Sequence, residues 1–326
     1  MPRNPSGRTL FRATALLLGM TTIGGWGPFD TQASRIGPDD GTDACRPYLV
    51  ALDAQGDYFG EDILKGAAMG GAAGGLAGLV FGRNLRSAVI GAVSGAVTGG
   101  VTGYWAALQQ QSQDQAVLRG QVSGDLSREN GQIDKTQQAF DALSDCRYRQ
   151  VQAVQADYKA KRIDRDAALA RMQAIADRAG HDLEVARRLN GQIGERSQQF
   201  EVAAENIEPG SKAAMETKPA PRRAVVTKAV ALKLRPDASS PDIATVPAKQ
   251  AVQVGPSRGG YALVETSTGA RGYAPVEAVQ AKAVPVQAPA GDVRTLAGSN
   301  AARRDDFATS VTVTEKAYKD GFELAG

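Results

Sequence analysis

Few residues in this chain are of a type that does chemistry. It has one histidine, His181, and two cysteines, Cys45 and Cys146. Proton transfer is usually carried by a histidine, or by carboxylates whose surroundings push their pKa values apart. His181 falls inside a long helical pattern with no nucleophile motif beside it, so it reads as a polar residue on a helix face. Asp164 and Asp166 precede an apolar periodic run, where capping and the helix dipole account for acidic residues. No nucleophile elbow, paired-cysteine metal motif or histidine-rich metal helix is present, and Gly70-Gly71 and Gly74-Gly75 lack the Gly-Lys-Ser/Thr ending of a phosphate loop. The expectation is a protein with no catalytic residue, no metal set and no cofactor, hence no enzyme.

The elements that would position a binding surface are clearer. Arg3, Arg8 and Arg12 precede an apolar stretch from Ala13 to about Trp26, and Thr31-Gln32-Ala33 offers a small-residue cleavage site, so residues 1–33 read as a signal peptide. An uncleaved anchor is the alternative, and both imply export. Removing residues 1–33 takes away those arginines and Asp30, so the formal net charge falls from +3 to +1. That leaves no basic field for nucleic acid. In an oxidising compartment a single disulfide between Cys45 and Cys146 is the expectation, with two unpaired thiols or intermolecular bridges as the alternative.

Residues 34–60 are mixed, and then the composition changes. Glycine recurs every fourth residue at Gly66, Gly70, Gly74, Gly78 and Gly82, and again, after the basic break Arg83-Asn84-Leu85-Arg86, at Gly91, Gly95, Gly99 and Gly103. Fourfold spacing puts each set on one stripe of a helix, where missing side chains let another backbone approach. An internal glycine costs about 1 kcal/mol against alanine, so nine cost about 9 kcal/mol unless close packing offsets them. A helical hairpin over residues 61–108 is predicted, packed in a bilayer or in a tight oligomer, with Tyr104-Trp105 as an interfacial anchor. This segment resembles the bacterial glycine-zipper two-transmembrane envelope proteins. The resemblance implies an envelope protein in contact with membrane lipid, facing the periplasm, in either the inner or the outer membrane. The lipid-bearing cysteine of some members has no counterpart, since Thr42-Asp43-Ala44 precedes Cys45.

Residues 109–208 carry three- and four-residue apolar steps, with a break near Asn130-Gly131 and a restart capped by Asp164. They predict a long antiparallel coiled coil serving as spacer or oligomerisation stalk, or else one side of a helical bundle. Residues 209–223 read as a linker. From 224 to 280 the period becomes two, with short strands around Val225-Val226-Thr227, Ala231-Leu232-Lys233-Leu234-Arg235, Ala251-Val252-Gln253-Val254 and Tyr261-Ala262-Leu263-Val264.

That region resembles the bacterial Src-homology-3-like domain through Ala231-Leu232-Lys233-Leu234-Arg235-Pro236, Thr245-Val246-Pro247-Ala248-Lys249 and Gly269-Ala270-Arg271-Gly272-Tyr273-Ala274. Tyr261 and Tyr273 stand where members commonly place tryptophan. The resemblance implies a small SH3-like β-barrel that binds peptidoglycan peptides or an envelope protein, with these tyrosines as ligand-binding candidates or as packing residues. Residues 281–326 read as a flexible tail with one short helix over 303–324.

The expected fold class is thus α+β multidomain: glycine-zipper helical hairpin, coiled coil, then barrel. The expected function is a non-enzymatic envelope anchor or scaffold, and a homo-oligomer. The alternative is an oligomeric component of an envelope transport or secretion assembly.

Overall fold

The computed structural model describes residues 31–60, 103–218, 220–279 and 292–323. The helices are α1 (Gln32–Ile36), α2 (Arg46–Gly60), α3 (Gly103–Gln111), α4 (Gln115–Lys159), α5 (Arg165–Ile207), α6 (Ser211–Glu216) and α7 (Val293–Gly321). Six strands, β1 (Arg222–Val225), β2 (Val230–Lys233), β3 (Asp242–Val246), β4 (Ala251–Arg258), β5 (Tyr261–Thr266) and β6 (Arg271–Pro275), lie between α6 and α7. A 3-10 turn, Val276–Val279, follows β6.

Side-chain caps set the helix starts. Asp114 accepts from Ala116 N–H at 2.8 Å, Asp164 from Ala167 N–H at 2.7 Å and Asp292 from Thr295 N–H at 2.6 Å. Between α4 and α5 the chain turns through Lys161 at φ 57°. The two helices then run antiparallel for 45 and 43 residues.

They do not stand alone as a coiled coil. The 29-residue α7 lies along both, parallel to α4: Asn130 Nδ2 donates to Leu296 O at 3.2 Å, and Tyr318 Oη to Ser144 O at 3.3 Å. The bundle alternative therefore holds, and the tail helix is much longer than expected. A fourth lane is shared by α2 and α3. Cys45, just ahead of α2, is bonded to Cys146 with Cα atoms 5.8 Å apart, so α2 runs antiparallel to α4. Tyr58 Oη then donates to Glu129 Oε2 at 3.0 Å, and Tyr104 Oη, in α3, to Asp125 Oδ2 at 2.6 Å. The end of α2 and the start of α3 thus meet α4 about one helical turn apart. Gly103 opens α3, while Gly66, Gly70, Gly74, Gly78, Gly82, Gly91, Gly95 and Gly99 lie outside the described residues, as do residues 1–30.

The transmembrane expectation is corrected. Among the described residues no helix is long and apolar enough to cross a membrane. Tyr104 and Trp105, expected at a lipid interface, are instead 1% and 9% exposed, packed with Leu108, Leu126, Phe200 and Ala204. The Tyr104 hydroxyl has a buried carboxylate partner there, which lets the whole ring be buried.

The strands form one antiparallel sheet in the order β1-β4-β5-β6-β2-β3. It is open, with β1 and β3 as edges. Val226, Leu232, Val246, Val252, Val254, Ala262, Val264 and Ala274 fill its interior, at the alternating positions that a two-residue period puts on one face. The coarse class, α+β with long helices and a small antiparallel sheet, is as expected. The linker between them is partly helical, because α6 packs on α7 through Met215 and Ala297.

Candidate functional site

One face of the sheet is seated on the bundle, and this junction collects most of the buried ionisable groups near the candidate tyrosines. Within the sheet, Gly272 lets β6 lie close against β2 and β3: a Cβ there would lie 2.9 Å from Ile243 Cδ1, Leu232 Cβ and Lys233 O. The next residue, Tyr273, sits opposite Lys233 and is 6% exposed. It shares an apolar cluster with Leu234 from the sheet, Phe140 and Leu143 from α4, and Phe307 and Val311 from α7; Tyr261, Leu263 and Ile243 flank the cluster, partly buried.

Polar groups stitch the same junction together. The Tyr273 hydroxyl is hydrogen-bonded to Ser310 of α7. Gln137 Nε2 of α4 donates to Ser310 Oγ at 3.0 Å and to Asp141 Oδ1 at 2.7 Å. Three elements are therefore joined by one chain of hydrogen bonds. Arg235 grips Asp145 with two bonds of 2.9 and 2.5 Å, and Arg258 lies 3.8 Å from Asp306.

Burial pushes Asp141 up to about 6, against the Gln137 bond and the fields of Arg235 and Arg258, while Asp145 adds to the rise. Burial likewise raises Asp306, and it takes Tyr273 up to about 12. Such a set could serve acid–base chemistry only with room for a reactant beside it. The arrangement fastens the sheet to the bundle.

A second polar constellation lies beside the disulfide. Arg147 is held by Asp43, at 2.5 and 2.8 Å, and by Asp182, at 2.6 and 3.3 Å, with no exposed side-chain surface of its own. Burial raises Asp182, the Arg147 bonds opposing it. Burial acts the same way on Asp43, but there the bonds from Arg147 and the Cys45 N–H prevail and its carboxyl ends low. Next to this triad is a cavity of about 290 Å³, lined by Asp39, Asp40, Arg46, Asp177, Arg178 and His181 among others. His181 is at its rim, 40% exposed, with Nδ1 3.7 Å from Glu184. Arg46 is turned inward, donating to Ile36 O and Gly37 O at 2.5 Å each.

A third buried pair, Arg196 and Glu129, is bidentate at 2.9 and 2.6 Å, and the guanidinium stands 4.8 Å from the centre of the Tyr58 ring. Of the sequence candidates, the structure brings Tyr261 and Tyr273 together at the sheet–bundle junction and joins Cys45 to Cys146. His181 is far from the tyrosines in function, on a different constellation. The buried ionic groups were not singled out from sequence, yet they left a trace. Glu129 falls in step with Leu126 and Ile133, Arg196 with Ile193 and Phe200, Arg147 with Leu143 and Val151, and Asp182 with Ala179 and Ala186. A charge in register with an apolar stripe marks a buried pair.

In comparisons with known proteins, no family model matches the chain, and neither a curated protein nor a solved structure matches it.

Proposed function

We propose that the chain is a non-enzymatic scaffold of a bacterial cell envelope, holding cell wall or a protein partner through its β-module. The observation that carries this reading is the Cys45–Cys146 bond, which ties the start of α2 to α4 across 101 positions of sequence. Such bonds form and persist in oxidising compartments.

On this reading the sheet is a small module of the Src-homology-3-like kind. Its short antiparallel strands and its alternating interior support that. The glycine-rich insertion is a zipper hairpin, packed arm to arm or against other copies. Support comes from its two roots: Tyr58 and Tyr104 are fixed to Glu129 and Asp125, four residues apart on α4, which is about one helical turn. A segment that leaves and returns at one place suits two antiparallel arms, and stripes without side chains suit close helix contact.

The test is in-cell crosslinking of the tagged full chain, followed by fractionation and non-reducing electrophoresis. The expected result is an oxidised chain in the envelope fraction, crosslinked to peptidoglycan or to an envelope protein. Recovery of a reduced chain from the cytosol, crosslinked to neither, would overturn the proposal.

A further inference from the structure

The chain is joined to itself twice at one place. Asp43 stands two residues before Cys45, and Arg147 directly follows Cys146, so the sulfurs make one link and the charges make another beside it. The two links span nearly the same stretch of sequence, 101 positions for the disulfide and 104 for the ion pair. Both fasten the residues ahead of α2 to α4. One needs an oxidant, and the other forms wherever both groups are charged.

The two carboxylates on Arg147 are reached by different routes. Asp182 lies on α5, 35 positions away, and the antiparallel hairpin of α4 and α5 delivers it. It accepts from Nε at 2.6 Å and more loosely from Nη2 at 3.3 Å, which leaves the Nη1 end to Asp43. Asp43 accepts there at 2.5 Å and from Nη2 at 2.8 Å. The guanidinium has no exposed surface, and the Asp43 and Asp182 side chains keep 10% and 2% of theirs. A buried charge short of partners is costly, so the hairpin presents a site that one more carboxylate completes. Contacts near in sequence form ahead of distant ones because their loops cost less entropy to close. The Asp182 contact therefore comes first.

Asp43 also shapes the chain around Cys45. Its Oδ1 accepts from Cys45 N–H and its carbonyl oxygen from Arg46 N–H, each at 3.0 Å, while Arg178 Nη2 donates to the neighbouring Thr42 Oγ1 at 2.6 Å. Cys45 is wholly buried in consequence, with its Cα 5.8 Å from that of Cys146, inside the reach of a disulfide.

We infer that the Asp43–Arg147–Asp182 triad closes the start of α2 onto α4 in the reduced chain, so that oxidation locks a contact already made. Asp43 and Arg147 are positioning residues for the sulfur chemistry. The oxidant is a disulfide, of a small molecule or of another protein. The two thiols give up two electrons and two protons as their sulfurs join, and the oxidant's own S–S bond opens to two thiols that take both. The inference rests on the reading that the chain reaches an oxidising compartment, and it says what governs the bond there: the reduced protein keeps the closed form through a reversible fastening.

The test is amide exchange on the purified full chain carrying Cys45→Ser and Cys146→Ser. Protection is expected at positions 45, 46, 48 and 49, whose N–H groups bond to Asp43 or to the carbonyl of position 45. Adding Asp43→Asn should speed exchange there about tenfold, and Asp43→Glu should recover part of the protection. The same Asp43→Asn change in the oxidised chain should have little effect, since the covalent bond then holds the contact. With the cysteines in place and reduced, glutathione disulfide should close the Cys45–Cys146 bond about tenfold more slowly in Asp43→Asn than in the native sequence.

Unprotected amides at positions 45–49 of the serine chain, with α4 and α5 still protected, would overturn the inference, because closure would then depend on the bond. A serine chain protected nowhere would overturn it equally, since no contact could precede oxidation. So would an Asp43→Asn effect as large in the oxidised chain as in the serine chain, which would make Asp43 a local cap only, or an unchanged rate of bond closure. Protection in the serine chain together with recovery of the native chain from the cytosol would support the triad and remove the envelope reading alone.

Discussion

Replacing Asp141 by asparagine should make the protein more stable at neutral pH and leave it unchanged in acid. The carboxyl is moved from 3.8 to about 6 in the fold, chiefly by burial. A folded carboxyl above its free value holds its proton more tightly than the unfolded chain does. Its contribution to stability is therefore fully present below about pH 4, and is lost as pH climbs through about 6. Moving the carboxyl from 3.8 to about 6 corresponds to about 3 kcal/mol against the ionised fold. Partial contact with solvent screens this, so about 3 kcal/mol is a ceiling. Asparagine keeps an oxygen for the Gln137 Nε2 bond of 2.7 Å and removes the charge. Urea unfolding of both proteins at intervals from pH 4.5 to 7.5 measures the difference, which should open steadily in favour of the variant. A difference that stays constant over that range would refute the reasoning, because it would show that the ionised carboxyl is not penalised at the junction.

Other perturbations separate the remaining parts of the argument. Cys45→Ser with Cys146→Ser frees a loop of 101 positions, and chain entropy predicts a loss of about 5 kcal/mol in denaturant unfolding. Arg147→Met strands the carboxylates of Asp43 and Asp182, for a loss of about 3–5 kcal/mol, part of which Asp182→Asn in the same chain should restore. Gly272→Ala forces a Cβ to within 2.9 Å of Lys233 O and two side chains, and should cost about 1–3 kcal/mol in thermal or urea unfolding. Gly74→Leu and Gly95→Leu, made singly, should reduce crosslinked higher oligomers in the envelope while leaving the far-ultraviolet helix signal in place.

The helical half of the fold was legible wherever a cap or an apolar step was strong. Asp164 marked the start of α5, and the interior positions from Leu183 to Ile207 follow the spacing read from the sequence. Asn130 was misleading. It looked like a break, yet α4 runs through it unbroken, because its side chain donates to Leu296 O and accepts from Asn300 Nδ2 at 3.0 Å. The length of α7 was hidden for a related reason. Ser310-Val311-Thr312-Val313-Thr314 alternates as a strand would, and only burial against α4 and α5 makes it helical, tertiary packing overriding local preference. Tyr104-Trp105 was read as an interfacial anchor, and the partner that decides otherwise, Asp125, lies 21 positions away. Tyr273 was flagged as a ligand-binding candidate through the resemblance to the Src-homology-3-like domain; what surrounds it, Ser310 and Gln137, comes from elements that no local pattern connects to β6.

The position of α7 has a consequence for how the chain is made. Phe307, Val311, Val313 and Tyr318 complete one apolar cluster of the bundle, and Val293, Ala297 and Ala301 complete another. All are synthesised after α4, α5 and every strand of the sheet. Until α7 has been made, α4 and α5 lack the surface that buries them, and the nascent polypeptide stays open to a chaperone for that interval.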